Sequence, residues 1–165
     1  MAGNGTIGVE IVEDLPEVDT VVVPWGGGGL TCGIAAAIRS LKPSCKIYAA
    51  EVETAAPLAA SLRAGSPQTI EYQASFVDGI GSKTVFPDMF EHAEALIEDS
   101  LVASLDEIRY AIRLLSGRNR IIAEGAGACS VACALSGKAG AGNIVCIVSG
   151  GNIDFGKLCE IVGGG

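Results

Sequence analysis

Short continuous apolar runs alternate with longer amphipathic stretches along this chain. Val18 to Val23 contains an unbroken β-branched run, the pattern of a parallel strand buried on both faces. Lys46 to Ala50 reads as a second strand ending at Glu51, Leu101 to Ala103 as a short extended piece, and Asn143 to Val148 as another buried strand. Helical spacing fills the intervals. Thr6 is the expected N-cap of a helix through Val9, Ile11, Val12 and Leu15 that Pro16 closes. Small residues predict a helix from about Leu30 to Leu41, and a helix through Leu58 and Leu62 stops at Gly65. A long irregular passage covers about 66–86, followed by a helix over Pro87 to Leu96. Ser104-Leu105-Asp106-Glu107 is a capping box, which starts a helix through Ile108, Ile112 and Leu115 ending at Gly117. The last expected helix runs from about Gly125 to Leu135. Strands alternating with helices predict an open, mostly parallel α/β sheet with helices on both faces.

Composition agrees with one folded domain over residues 1–165. Apolar residues are 49% and charged residues 18%, enough to bury a core and too apolar for disorder. No internal repeat stands out, and low complexity is confined to the glycine tail at 163–165. A net charge of −8 argues against nucleic acid or an anionic membrane as partner, though not against a local anion site. Met1 to Gly5 lacks the basic and apolar regions of a signal peptide. The uncharged stretch Thr20 to Ile38, 19 residues long, is broken by Pro24 and four glycines, so no membrane span is expected. The six cysteines include no Cys-x-x-Cys pair, and the only histidine, His92, is distant from all of them. Small buried thiols in a reduced, cytoplasmic protein are the expectation.

Glycine, at 23 residues, is roughly twice as frequent as usual, and its placement carries the chemistry. Val23-Pro24-Trp25 leads into Gly26, Gly27, Gly28 and Gly29, then Leu30 opens a helix. Without Cβ atoms, consecutive backbone N–H groups can converge on one anion, aided by the positive end of the helix dipole. A tight strand-to-helix turn is the plainer alternative, but one or two glycines would serve it. Gly-Lys-Ser/Thr is absent, so this is no Walker loop. Gly3-Asn4-Gly5-Thr6-Ile7-Gly8 matches G-x-G-x-x-G in form only. No strand precedes it, and no ribose-binding acid follows at the usual distance.

Two further motifs sit near strand or helix ends. Ser149-Gly150-Gly151-Asn152 follows a strand, where the carboxyl edge of an open sheet faces its ligand crevice. Its serine suits either hydrogen bonding to a flat ligand or capping a turn. Glu124, alone among small and apolar residues from Ile121 to Ala128, must be either partnered or perturbed, unless it simply caps the following helix.

These motifs, in this order, together with Ala49-Ala50-Glu51 and Asp78-Gly79, resemble the threonine/serine dehydratases and serine racemases. Those are pyridoxal phosphate enzymes of the tryptophan-synthase-β-like fold, and the resemblance covers essentially the whole chain. It implies the large-domain portion of that fold, with Gly26 to Gly29 and Leu30 holding the cofactor phosphate. Ser149, flanked by Gly150, would hydrogen-bond the pyridine nitrogen. A hydroxyl there leaves the ring neutral, a weaker electron sink suited to eliminating water from a hydroxy amino acid. Glu124 would lie near the ring or substrate, and Asp78-Gly79 would border the pocket.

Relatives also bind a divalent cation through the carboxylate at Glu51, the carbonyl at Ala55 and a carboxylate two residues on. Pro57 stands at that third position, leaving Glu53 or water to complete the set.

The resemblance places the covalent lysine and the substrate loop in an N-terminal half that this sequence lacks. Lys42, Lys46, Lys83, Lys138 and Lys157 all stand in other contexts. The expectation is a C-terminal half without catalytic residues, inactive alone, with no regulatory domain after Ser149. It would associate as a homo-oligomer or with a missing N-terminal half. A non-catalytic phosphate- or nucleotide-binding domain, or a structural remnant without ligand, are the alternatives.

Overall fold

The computed structural model describes residues 1–164, so the last residue of the glycine tail lies outside the described residues. Its elements are α1 (Ala2–Asp14), β1 (Thr20–Pro24), α2 (Gly29–Leu41), β2 (Lys46–Val52), α3 (Pro57–Ala64), α4 (Pro87–Leu96), β3 (Asp99–Ala103), α5 (Leu105–Leu114), α6 (Gly125–Leu135), β4 (Ile144–Cys146) and α7 (Phe155–Gly163). The sheet is four-stranded, in the order β3-β2-β1-β4. All three pairings are parallel, with Thr20 of β1 opposite Lys46 of β2 and Ile144 of β4.

Helices cover both faces because β1 buries both. Val21 and Val23 join the core formed with α2 and α4, which includes Ile34, Ile38, Ile47 and Phe90. Val22 points the other way, into the core of Ile108, Ile112, Cys129 and Ala132 from α5 and α6. The order of the strands fixes where a ligand goes. From β1 the chain passes to β2 on one side, while β4 lies on the other, so a crevice opens at the carboxyl ends of β1 and β4. No helix among the described residues is long and apolar enough to cross a membrane.

Several sequence expectations shift. The first helix begins at Ala2, and Thr6 lies inside it, donating its hydroxyl hydrogen to the Gly3 carbonyl at 2.9 Å. Packing of Gly5 and Gly8 against α2 overrides the low helix propensity of the glycines. β2 runs through Glu51 to Val52, and β4 is shorter than expected and only half-buried, as befits the edge of the sheet. The capping box at Ser104 and Glu107 is present. Its helix does not stop at Gly117 but continues as a π turn, Leu115–Asn119, ended by Arg120 at a left-handed φ of 61°. α7 has no counterpart among the sequence expectations. Its signals were the N-cap Asp154, whose carboxylate accepts the Lys157 N–H at 2.9 Å, and Leu158, Ile161 and Val162 at helical spacing.

All six cysteines are free. Cys32, Cys45, Cys129 and Cys133 are buried as expected, Cys146 is half-buried, and Cys159 is exposed on α7.

Candidate functional site

The crevice at the β1–β4 switch is a cavity of about 200 Å³. Pro24, the four glycines and Leu30 form one wall, Gly79 and Ile80 from the long loop a second, and Glu124, Ala126 and Ser149 the third. Motifs up to 125 residues apart in sequence therefore meet here.

Each wall has a local cause. The buried strand β1 delivers the glycine loop, and the Thr31 hydroxyl donates to the Pro24 carbonyl at 3.1 Å, tying the start of α2 to the end of the strand. Gly28, the N-cap of α2, has a φ of 83°, which favours glycine. A Cβ on Gly27 or Gly29 would meet nothing within 4 Å, so the loop presents open space at those two positions. Indole Nε1 of Trp25 is buried without a hydrogen-bond partner.

Glu124 is wedged rather than capping. It occupies the N-cap position of α6 without a side-chain cap bond, and its Oε2 accepts the Asn152 N–H at 3.0 Å. Its own N–H donates to the Gly150 carbonyl at 3.1 Å. A Cβ on Gly150 would stand 2.6 Å from Glu124 Oε1, and one on Gly79 would stand 3.2 Å from it. Glycine at both positions makes room for the carboxylate. Gly127 is needed for a related reason, since a Cβ there would come within 2.6 Å of the Gly150 carbonyl. Ser149 is exposed in the cavity, and its hydroxyl has no partner among the described residues. Gly150 stands behind it, outside the lining. Asp78 borders a neighbouring cavity of about 360 Å³ that shares Glu124.

Glu51 and Ala55 lie elsewhere. Both are buried, and neither lines the cavity. Glu51 Oε1 accepts the Leu58 N–H at 2.8 Å, and Oε2 accepts the Ala59 N–H and the Ser100 hydroxyl, both at 2.7 Å. This carboxylate caps α3 from a distance, because the N-cap residue Ala56 has no side-chain acceptor. Burial pushes its pKa up, opposed by Ser100 and the two amides. Glu53 Oε1 accepts the Leu105 N–H at 2.8 Å. Both Glu51 oxygens are thus taken up by donors and Pro57 brings no carboxylate to the third position, and no group of three or more His, Cys, Asp or Glu side chains that could hold a metal forms among the described residues.

No lysine lines the cavity. Lys83 stacks 6.0 Å from the Tyr72 ring centroid, Lys138 pairs with Glu107, and Lys157 pairs with Glu160.

A parallel α/β sheet whose glycine loop, serine and acidic residue converge at the switch point defines a class of phosphate-bearing-cofactor proteins. The chain matches the pyridoxal-phosphate dependent enzyme family over residues 1–150, and it belongs to that family. It is 40% identical to the catabolic L-threonine dehydratase of Escherichia coli K12, across 99% of this chain and 51% of that one. Identity is also 40% to the L-threonine ammonia-lyase of Thermotoga maritima, across 100% of this chain and 41% of that one. The processed threonine deaminase isoform 2 of Solanum lycopersicum superposes with a TM-score of 0.89 at 34% identity, covering 98% of this chain and 48% of its own. Maize serine racemase gives 0.88 at 33%, covering 96% and 50%. The chain spans about half the length of the curated relatives it matches. The parallel α/β fold matches the threonine deaminase and serine racemase structures over the portion covered, and pyridoxal phosphate is the family's cofactor.

Proposed function

We propose that residues 1–165 act as one domain, the cofactor-phosphate-holding part of an L-threonine/L-serine dehydratase-like lyase that converts a hydroxy amino acid to a 2-oxo acid and ammonia. The convergence of Gly26 to Gly29, Leu30, Glu124 and Ser149 on one cavity carries this reading. When bound, pyridoxal phosphate supplies the electron sink for breaking a bond at the amino acid's α-carbon. The residues present fit its phosphate, because the glycine loop offers backbone N–H groups and, at Gly27 and Gly29, open space where a Cβ would stand. Ser149 would hydrogen-bond the ring nitrogen, with Gly150 beside it leaving room for the Glu124 carboxylate. Glu124 holds the strand end that carries them through Asn152.

The lysine that binds the cofactor covalently belongs outside this chain. Purified chain with pyridoxal phosphate should bind the cofactor weakly, produce no 2-oxobutanoate from L-threonine, and give no lysine adduct after borohydride reduction and peptide mapping. A stoichiometric adduct at Lys83 or Lys157 would overturn this reading. Binding of phosphate without any preference for pyridoxal phosphate would favour a non-catalytic phosphate-binding domain.

Association is part of the same proposal. The half-buried edge strand β4, the partly buried Ile7 and Ile11 of α1 and Leu15 just after it flank an open groove of about 270 Å³. Such an edge invites pairing. Sedimentation at micromolar concentration should show a homodimer or larger assembly, and a stable monomer would refute it.

A further inference from the structure

The four glycines have no side chains with which to hold their own shape, and ordering such a run costs more backbone entropy than ordering other residues. Their anchors come from outside. Besides the Thr31 bond at the entry, the amide of Asn4 donates to the carbonyl of Gly29 at 3.1 Å, from 25 residues away. Among the described residues this is the one side-chain hydrogen bond that reaches the loop from another element.

α1 delivers so short a side chain only because it lies against the backbone of α2. A Cβ on Gly33 would stand 2.6 Å from the Met1 carbonyl, one on Gly8 2.8 Å from the Ile34 carbonyl, and one on Gly5 3.3 Å from the Gly33 carbonyl. Gly5 and Gly8 of Gly3-Asn4-Gly5-Thr6-Ile7-Gly8, with Gly33 of α2, thus make a close helix–helix contact that brings Asn4 to the cradle.

What the bond fixes is a peptide plane. The Gly29 carbonyl and the Leu30 N–H belong to the same planar trans peptide and point in opposite directions. Gly29 opens α2, so this carbonyl runs along the helix and the Leu30 N–H, one of the unpaired donors of the first turn, faces the N-terminal end of α2, where Leu30 lines the cavity; the Asn4 bond pins that first turn in place.

We infer that Asn4 is a positioning residue for anion binding, orienting the first turn of α2 through the Gly29 carbonyl. This rests on the reading that the cavity takes a phosphate. Trp25, the only tryptophan, packs on Gly28 and reports on the loop by its emission.

The test titrates inorganic phosphate and pyridoxal phosphate into the full chain, read by calorimetry and Trp25 fluorescence. Asn4→Leu keeps the side-chain volume and removes the donor. It should weaken both ligands by roughly threefold to tenfold, and Asn4→Gln, which keeps an amide, should recover part of that loss. Thr6→Val, on the same helix, should bind as wild type does. Should Asn4→Leu fail to fold, Asn4→Ala takes its place in the same titration. Wild-type chain that binds neither ligand sinks the phosphate reading itself. Wild-type binding matched by the donor-less variant, or equal losses in the Leu and Gln variants, overturns the role of Asn4 alone.

Discussion

The indole of Trp25 lies directly across the backbone of Gly28, so that a Cβ there would stand 2.6 Å from Cη2 of the ring and 2.9 Å from the Met89 methyl carbon. Gly27, one residue earlier, has nothing within 4 Å of that position. The two glycines therefore serve different ends, one for folding and one for access.

Substitution separates them. Gly28→Ala should destabilise the chain by about 1–3 kcal/mol, from its left-handed φ and the clash together. Gly27→Ala should leave the denaturation midpoint near wild type while reducing phosphate affinity, because the methyl projects into the open face of the loop. Urea denaturation and phosphate calorimetry on both variants provide the check. Equal stability losses would refute the division.

Glu51 is a structural acceptor for three donors. Glu51→Ala leaves the amides of Leu58 and Ala59 and the Ser100 hydroxyl without it, at an expected cost of about 3 kcal/mol or more. Ser100→Ala removes one donor and should cost about 1 kcal/mol. Chelation of divalent cations should leave the thermal midpoint unchanged. A midpoint that falls with chelator and recovers with magnesium would restore the cation site.

Glu107 should contribute to the acid limb of stability. Burial alone would raise its pKa, but the Ser104 amide and Lys138 outweigh that and hold it below the usual carboxylate value. A depressed folded-state pKa stabilises the fold above the unfolded value, and that contribution is lost as pH falls through the folded one. Glu107→Gln keeps the capping pattern but loses the charge facing Lys138. The difference in urea midpoint from wild type should be small at pH 7, in keeping with a partly exposed pair, and should vanish below the usual carboxylate range. A pH-independent difference would show that charge plays no part.

The thiols should react unequally. Burial raises Cys32 and Cys146 to about 11 and Cys45 above its ordinary value. For Cys129, the hydrogen bond with Cys133 and burial both raise it. Cys133 is buried as well, and Cys159 is the one fully exposed thiol, so Cys159 alone should give a fast phase with Ellman's reagent at pH 8. Cys159→Ser should remove that phase. Its persistence would mean that a buried thiol is reached by local opening.

Much of the fold was legible where local chemistry decides conformation. The valines of β1, the Ser104–Glu107 box, Gly65 after α3 and Pro87 at the start of α4 each act within a few residues, and the structure repeats them. Legibility failed where distant atoms decide. The glycines of α1 look like helix breakers until α2 is beside them. β4 reads as a fully buried strand because sequence pattern does not reveal a sheet edge.

For the candidate site, the residue types were apparent and their relationships were not. A glycine run after a strand, and a serine-glycine pair after another, mark backbone that can approach a ligand closely, since the missing Cβ is a property of the residue itself. That Glu124 would turn from its helix to Asn152, that Glu51 would cap α3 from a neighbouring strand, and that Asn4 would reach Gly29 depended on distances across the fold. The sequence determined which groups were available and which turns the chain could make. Only the tertiary structure decided which donor met which acceptor, because a hydrogen bond is formed by proximity and direction in space.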